Sequence, residues 1–411
     1  MNTPPEGTRY AHASESAART RTVSTLRALF SSWGYENVDV PVLERFDPAH
    51  PVAERSFKLT GPEGELLALR ADYTFALAKL VRFNYGDPGP DNPPGPLRLQ
   101  YSGQLWRTVV PDIARTREFT QVGLELVGVS GARADAELIH LAREAVRAVG
   151  LTPRVEVGNP GFVRQLFELA ELPPGVQDDA ADAIDRKDQA TLATLLGPLE
   201  LAPDLARALL GVPDLYGDLR TLGAARALAP WPETAAACDH LEAVVNEFED
   251  SSELLLDLGM ARRLSYYTGV TFRAYTFDFG QPLLGGGRYD SALLPLAAGF
   301  AIGLERLLSA LPEVTGDTPP IAVGLNDDQA RRLRRAGYRV ERALTDEVAV
   351  LRAYALARGI PYLLLPGGLE PLTPERPFFE QLVSLLEDEL LENELLEDKF
   401  PEDELPEGGH V

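Results

Sequence analysis

The sequence predicts an α/β chain, and three stretches carry that expectation. Residues 104–107 and 119–127 read as two antiparallel strands joined by a loop rich in Pro, Asp and Arg. Residues 161–246 are almost wholly helical in pattern, in short pieces broken by PPG, GP and AP. Residues 321–365 alternate strand and helix as β-α-β-α-β, which implies a small parallel sheet.

In chain order, Val23, Leu26, Leu29, Phe30 and Trp33 recur at helical spacing over residues 15–33, and Gly34 ends that helix. Residues 36–42 alternate as a strand, and residues 66–70 form a short one. Asp72 stands as the N-cap of a helix over 73–84, and residues 86–96 (GDPGPDNPPGP) are a turn-rich loop. After the central hairpin come a helix over 135–149, a strand over 154–159 and the helical stretch. Its Cys238 and His240 are read as packing residues. Strand patterns return at 253–258 and 269–279, followed by Gly285-Gly286-Gly287, a strand-turn and a helix over 303–311. Residues 312–319 (PEVTGDTP) read as a linker, 313–368 as a small α/β domain and 369–411 as an acidic tail. Between Glu387 and Glu407 the tail has 11 acidic residues against Lys399. Its paired leucines recur every five residues, which cannot hold one face of a 3.6-residue helix.

The 411 residues suffice for two or three domains, and 45% hydrophobic with 25% charged residues is ordinary for a globular protein. One cysteine excludes an internal disulfide, and five scattered histidines without HxH or HxxxH spacing argue against a zinc site. No metal and no cofactor is expected. The N-terminus lacks a basic-then-apolar signal and no run reaches the roughly 18 apolar residues of a membrane span, so the sequence reads as cytoplasmic. Acidic residues exceed basic ones by 62 to 39, a net charge of −23, which disfavours bulk binding of tRNA or DNA. Arginine is the default cation, since only Lys58, Lys79, Lys187 and Lys399 are lysines.

In the second strand of the hairpin, Gln121, Gly123 and Glu125 fall on one face at period two. With Arg107 they make a floor of amide, carboxylate and guanidinium. Such a floor suits a small zwitterion, or is a solvated sheet face with one ion pair. Tyr266 and Tyr267 can present phenolic hydroxyls beside it, and the three glycines let a backbone approach a ligand closely or form a flexible hairpin.

Five blocks in this order and spacing resemble histidyl-tRNA synthetase, a class II aminoacyl-tRNA synthetase, over residues 5–311. Pro5-Glu6-Gly7-Thr8-Arg9 is similar to that family's opening, and FSSWGYENVDVPVLE (30–44) to its first motif, the dimer-forming helix and strand. Trp106-Arg107 through Gly128 resembles the second motif, GFAIGLERL (299–307) the third, and 262–267 the histidine-recognition loop. The resemblance implies a class II synthetase-like antiparallel sheet flanked by helices, over residues 1–312, with the helical stretch as an insertion. It implies a homodimer through residues 30–44.

The departures narrow the function. The synthetase's second motif reads Phe-Arg-x-Glu, and its Glu accepts from the adenine of ATP; here Val109 stands in that place and cannot accept a hydrogen bond. Arg263 and Ser265 replace Gly and Asp in the histidine loop. The amino-acid pocket is largely kept: Asp72-Tyr73-Thr74 resembles the synthetase's Glu-x-Thr with a shorter carboxylate, and Arg107, Gln121, Glu125, Arg262, Tyr266 and Tyr267 match. Arg288 and Arg306 would line a vestigial nucleotide pocket. Kept histidine contacts with a lost ATP contact are similar to the ATP phosphoribosyltransferase regulatory subunit family. So are Asp185-Arg186-Lys187-Asp188 and Asp257-Leu258-Gly259. That resemblance implies a non-catalytic histidine sensor. Its partner would be a short catalytic ATP phosphoribosyltransferase, which makes the first committed compound of histidine synthesis from ATP and phosphoribosyl pyrophosphate. The alternative is an active histidyl-tRNA synthetase.

Overall fold

The computed structural model describes residues 3–86, 95–108, 116–261, 266–277, 279–290, 293–312 and 320–387. The chain divides into two units, residues 1–314 and 315–411.

The larger unit begins with α1 (Ala13–Ser32), β1 (Glu36–Asn37), β2 (Leu43–Arg45), β3 (Lys58–Thr60), β4 (Leu66–Leu69) and α2 (Tyr73–Tyr85). The central strands β5 (Leu97–Trp106) and β6 (Glu118–Val127) follow, then α3 (Ala132–Ala148) and β7 (Pro153–Gly158). The helical insertion comprises α4 (Gly161–Leu169), α5 (Pro174–Asp185), α6 (Gln189–Leu196), α7 (Pro203–Gly211), β8 (Tyr216–Gly217), α8 (Arg220–Leu228) and α9 (Pro232–Val245). The chain returns through β9 (Leu254–Asp257), β10 (Thr271–Thr276), β11 (Phe279–Arg288), β12 (Ala297–Gly303) and α10 (Leu304–Ala310).

Nine strands form one sheet in the order β1-β5-β6-β12-β11-β10-β7-β9-β8. The run from β5 to β7 is antiparallel throughout, while β1 joins β5 and β9 joins β7 in parallel. Period-two alternation divides its faces. Val122, Leu124 and Leu126 point to one side, where they pack with Leu26 and Phe30 of α1 and with Leu138, Ile139 and Ala142 of α3. Gln121, Gly123 and Glu125 point to the other. They lie opposite Gly103, Tyr101 and Leu99 of β5, and opposite Gly303, Ala301 and Gly299 of β12. On its β12 side the second face carries small residues, and it is the face that carries the polar groups.

Three segments differ from their sequence expectation. The strand expected over 36–42 pairs only at Glu36–Asn37. Pro41 has no N–H to donate, and the Arg70 guanidinium takes the carbonyls of Val40 (2.6 Å) and Pro41 (3.3 Å), so the chain leaves the large sheet for the small β2-β4-β3 sheet. Gly285–287 form no hairpin. They lie within β11, hydrogen-bonded on both sides, and a Cβ at Gly286 would run into Phe300 of β12. β5 is also longer than residues 104–107, because Gln100 of the extra stretch is buried and donates to the Tyr35 carbonyl (2.8 Å) and Ser31 Oγ (2.8 Å).

The second unit contains β13 (Ala322–Gly324), α11 (Asp327–Arg335), β14 (Val340–Arg342), α12 (Val348–Ala357), β15 (Tyr362–Leu365), β16 (Gly368–Pro371) and α13 (Phe379–Glu387). β14, β13 and β15 are parallel, as the β-α-β-α-β pattern predicts, and β16 adds an antiparallel edge. β16 and α13 extend ordered structure past residue 368, where the sequence places the start of the tail. The leucine-paired repeat beyond residue 387 lies outside the described residues, as do most of the 86–96 loop and the linker.

Leu124 is fully buried at the centre of the core face. Leu124→Ala is expected to lower unfolding stability by about 2–5 kcal/mol, read as a reduced urea midpoint at unchanged slope.

Candidate functional site

The polar face of β6 gathers a group of side chains around Glu125. Its carboxyl is 3% exposed. Thr74 Oγ1 donates to Oε1 at 2.9 Å and the Tyr289 hydroxyl to Oε2 at 2.6 Å. Gly299, directly across on β12, makes the space, since a Cβ there would collide with the carboxyl. Thr74 comes from the first turn of α2, whose N-cap is Asp72: Asp72 Oδ1 accepts from the Thr74 amide at 2.9 Å. The positive end of that helix favours a negative charge nearby. Burial outweighs the two hydroxyls together and, helped by the nearby Asp72 charge, pushes the Glu125 carboxyl up to about 8.

Aromatic rings surround the carboxyl. Tyr266 stacks on Tyr289 with ring centroids 5.5 Å apart, and Tyr267 stands edge-on to Tyr266 at 4.9 Å. Tyr101, on the same face of β5, is buried against Tyr73 with centroids 4.1 Å apart. Burial, followed by the nearby Glu125 charge, raises the Tyr266, Tyr289 and Tyr101 phenols, so all three stay protonated. A carboxyl under electron-rich ring faces is an environment for a small organic cation.

The face continues toward its open end. Arg107 donates to the Ala71 carbonyl (2.7 Å) and to Asp72 Oδ2 (3.2 Å), and lies 5.2 Å from the centre of the Phe119 ring. Gln121 is half-buried, and its Oε1 is a buried acceptor with no hydrogen-bond partner among the described residues. Asp72, Thr74, Arg107, Gln121, Glu125, Tyr266 and Tyr267 thus line one stretch of the sheet and the helix end above it. Arg262, Val109, Arg263 and Ser265 lie outside the described residues. Among the described residues no cluster of His, Cys, Asp or Glu is placed to hold a metal ion.

Arg288 is not where the sequence expectation puts it. It pairs with Ala298 of β12, so alternation turns it to the core face. There it meets Asp135 of α3 at 2.6 Å, Asp290 at 3.0 Å and the Val129 carbonyl at 3.0 Å. It is a buried structural cation and does not line a nucleotide pocket. Arg306, on α10, donates to the Pro282 carbonyl at 2.7 Å, beside the Gly303 end of the polar face. The sequence reasoning missed Tyr289 and Tyr101. Period two carried through Gly285, Gly287 and Tyr289, and through Tyr101, Gly103 and Arg107, is the signal that would have found them.

The family model for histidyl-tRNA synthetase matches residues 7–307. The chain is 45% identical to the ATP phosphoribosyltransferase regulatory subunit of Thermus thermophilus, over 87% of this chain and 96% of that protein. It is 44% identical to the regulatory subunit of Deinococcus radiodurans, over 90% of each. A solved Bacillus halodurans structure, described as an ATP phosphoribosyltransferase regulatory subunit/histidyl-tRNA synthetase, superposes with a TM-score of 0.75. It is 25% identical and covers 86% of this chain and 96% of its own. Histidyl-tRNA synthetase from Nostoc shares the fold, with a TM-score of 0.71 at 20% identity over 89% of this chain and 92% of its own.

The raised Glu125 pKa has a consequence for stability. Between the unfolded value of 4.5 and the folded value of about 8, the folded ligand-free chain holds a proton that the unfolded chain has lost. Stability from this group is therefore full below 4.5 and falls as pH rises to about 8, by roughly 1.4 kcal/mol per pH unit. Glu125→Gln removes that slope. In thermal melts from pH 5 to 9, the variant is expected to gain on wild type as pH rises; parallel curves would contradict the burial of this charge.

Proposed function

The chain belongs to the ATP phosphoribosyltransferase regulatory-subunit family, which shares the histidyl-tRNA synthetase core, and from that membership we propose that it is a histidine sensor. It binds free L-histidine on the polar face of β6 and sets the activity of a short catalytic ATP phosphoribosyltransferase, activating it and relaying feedback inhibition. The observation that carries this reading is the buried Glu125 carboxyl, held by Thr74 and Tyr289 beneath the tyrosine rings.

Histidine brings a carboxylate, an ammonium and an imidazole. Glu125, reached together with Tyr267, accepts from the imidazole; ionised, it favours the imidazolium. Asp72, Thr74 and the Gln121 Oε1 acceptor orient the ammonium. Arg262 takes the carboxylate as a bidentate partner, with Arg107 alongside. Every group acts by binding; none is required to form or break a bond. The coupling to the catalytic subunit needs histidine to prefer one state of the complex, with a typical coupling of about 1–3 kcal/mol. A homodimer through residues 30–44 is part of this reading. It is supported by half-exposed apolar side chains there, Val42 and Leu43 at 45% each.

Calorimetry at pH 8.5, above the Glu125 value of about 8, is expected to show one histidine site per chain. Glu125→Gln should weaken it by roughly 1.5–3 kcal/mol, about 10- to 150-fold in Kd. Equal binding by wild type and variant would remove the pocket assignment. Mixing with a short catalytic transferase should raise phosphoribosyl-ATP formation and make it histidine-sensitive.

The histidyl-tRNA synthetase reading predicts histidine-dependent exchange of pyrophosphate into ATP. We expect none, because Val109 leaves the adenine amino group without an acceptor, a cost of about 1–3 kcal/mol. Val109→Glu is expected not to restore tRNA charging, since Ser265 and the acidic C-terminal region oppose it separately. Charged tRNA from either protein would replace the sensor reading with the synthetase one.

A further inference from the structure

The helical insertion reaches the candidate site through polar contacts set within a mostly apolar interface. Its helices share the main core with the sheet through Val163, Leu166, Ile184 and Leu241. Apolar packing of that kind seats the insertion by itself. Charged groups in such an interface add little net stability, because their desolvation offsets their attraction. Where they stand is therefore informative.

Two of them hold the chain before and at the Tyr266–Tyr267 pair. Arg164, on α4, donates to the Tyr267 carbonyl at 2.7 Å. Lys187, at the α5–α6 junction, reaches Asp257 Oδ1 at 2.5 Å, and the same oxygen accepts from the Gly259 amide at 2.9 Å. Asp257 is the last residue of β9 and is 5% exposed. Lys187 adopts φ +58°, a left-handed conformation that costs a non-glycine residue free energy. The turn thereby places its ammonium over the end of β9. Beside it, Asp185 pairs with Arg273 of β10 at 2.7 Å.

A continuous series of contacts leads from Arg164 to the carboxyl. Arg164 holds the Tyr267 backbone, the Tyr267 ring meets Tyr266, Tyr266 stacks on Tyr289, and Tyr289 donates to Glu125. We propose that Arg164 and Lys187 are positioning residues of the histidine site. They anchor the chain at Asp257 and at Tyr267 and so set the tyrosine pair against Glu125. Placement of the insertion and occupancy of the site are then linked, and by reciprocity histidine steadies the α5–α6 junction. This inference rests on the histidine-sensor reading.

The test uses the full chain with Arg164→Met and Lys187→Met, and with Arg164→Lys and Lys187→Arg as charge-keeping controls. Histidine affinity is read by calorimetry and backbone protection by hydrogen exchange. The Met variants are expected to bind histidine about 5- to 150-fold more weakly, the span of typical couplings, with the controls regaining most of the loss. In the ligand-free chain their amides at 257–261 and 266–270 should exchange faster than in wild type. In wild type, histidine should slow exchange at 184–188. If Lys187→Met fails to fold, the Lys187→Met/Asp257→Asn pair, which leaves no lone buried charge, takes its place. Wild-type affinity in both Met variants overturns the proposal. If wild type itself binds no histidine, the sensor reading fails, and the ligand-free exchange decides the anchoring: unchanged protection in the variants overturns it.

Discussion

Burying the Glu125 carboxyl on an inner strand of a nine-stranded sheet has a desolvation cost that the surrounding structure only partly offsets. Two hydroxyls and a helix N-terminus favour the charged form, yet the group still holds its proton to about pH 8. The fold keeps the strained group because its neighbours are specific to it. Gly299 leaves room for the carboxyl, the Asp72 cap fixes where α2 begins and so where Thr74 points, and Tyr289 closes the other side. A buried carboxyl with satisfied oxygens and aromatic walls gains most from a ligand that brings a positive charge, because the same low dielectric that penalises the lone charge strengthens the pair.

The two faces of one strand divide the work of the larger unit. Val122, Leu124 and Leu126 make the core with α1 and α3, while Gln121 and Glu125 lie on the opposite, polar face. The same alternation sends Arg288 into the core and Tyr289, its neighbour, to the carboxyl. Arg288 meets Asp135, which also contacts His240 of α9 at 2.7 Å. Adjacent residues thus serve the packing of α3 with the insertion and the shape of the site.

The charge distribution bears on which large ligands the surface favours. With 62 acidic and 39 basic residues the net field repels polyanions. In the second unit three α11 arginines have partners within the unit: Arg331 pairs with Asp328, Arg332 donates to the Leu386 carbonyl and Arg334 to the Val340 carbonyl.

The sequence by itself determined the family, the Asp72 cap, the shared face of Gln121 and Glu125, and the β-α-β alternation of the second unit. Each of these is written locally, in spacing, in a cap residue or in a motif string. Only the tertiary structure decided that Gly285–287 lie inside a strand, that residues 36–42 part from the sheet after Asn37, and that Arg288 belongs to the core. It alone brought Tyr289 and Tyr101 to the carboxyl, and Arg164 and Lys187 to the ends of the tyrosine segment. The physical reason is register. Alternation says which residues of a strand share a face, but which face is buried and which partner lies opposite are set by pairing between strands far apart in sequence. The Glu125 pKa follows from the same cause, because the burial that raises it comes from β12, α2 and Tyr289 together.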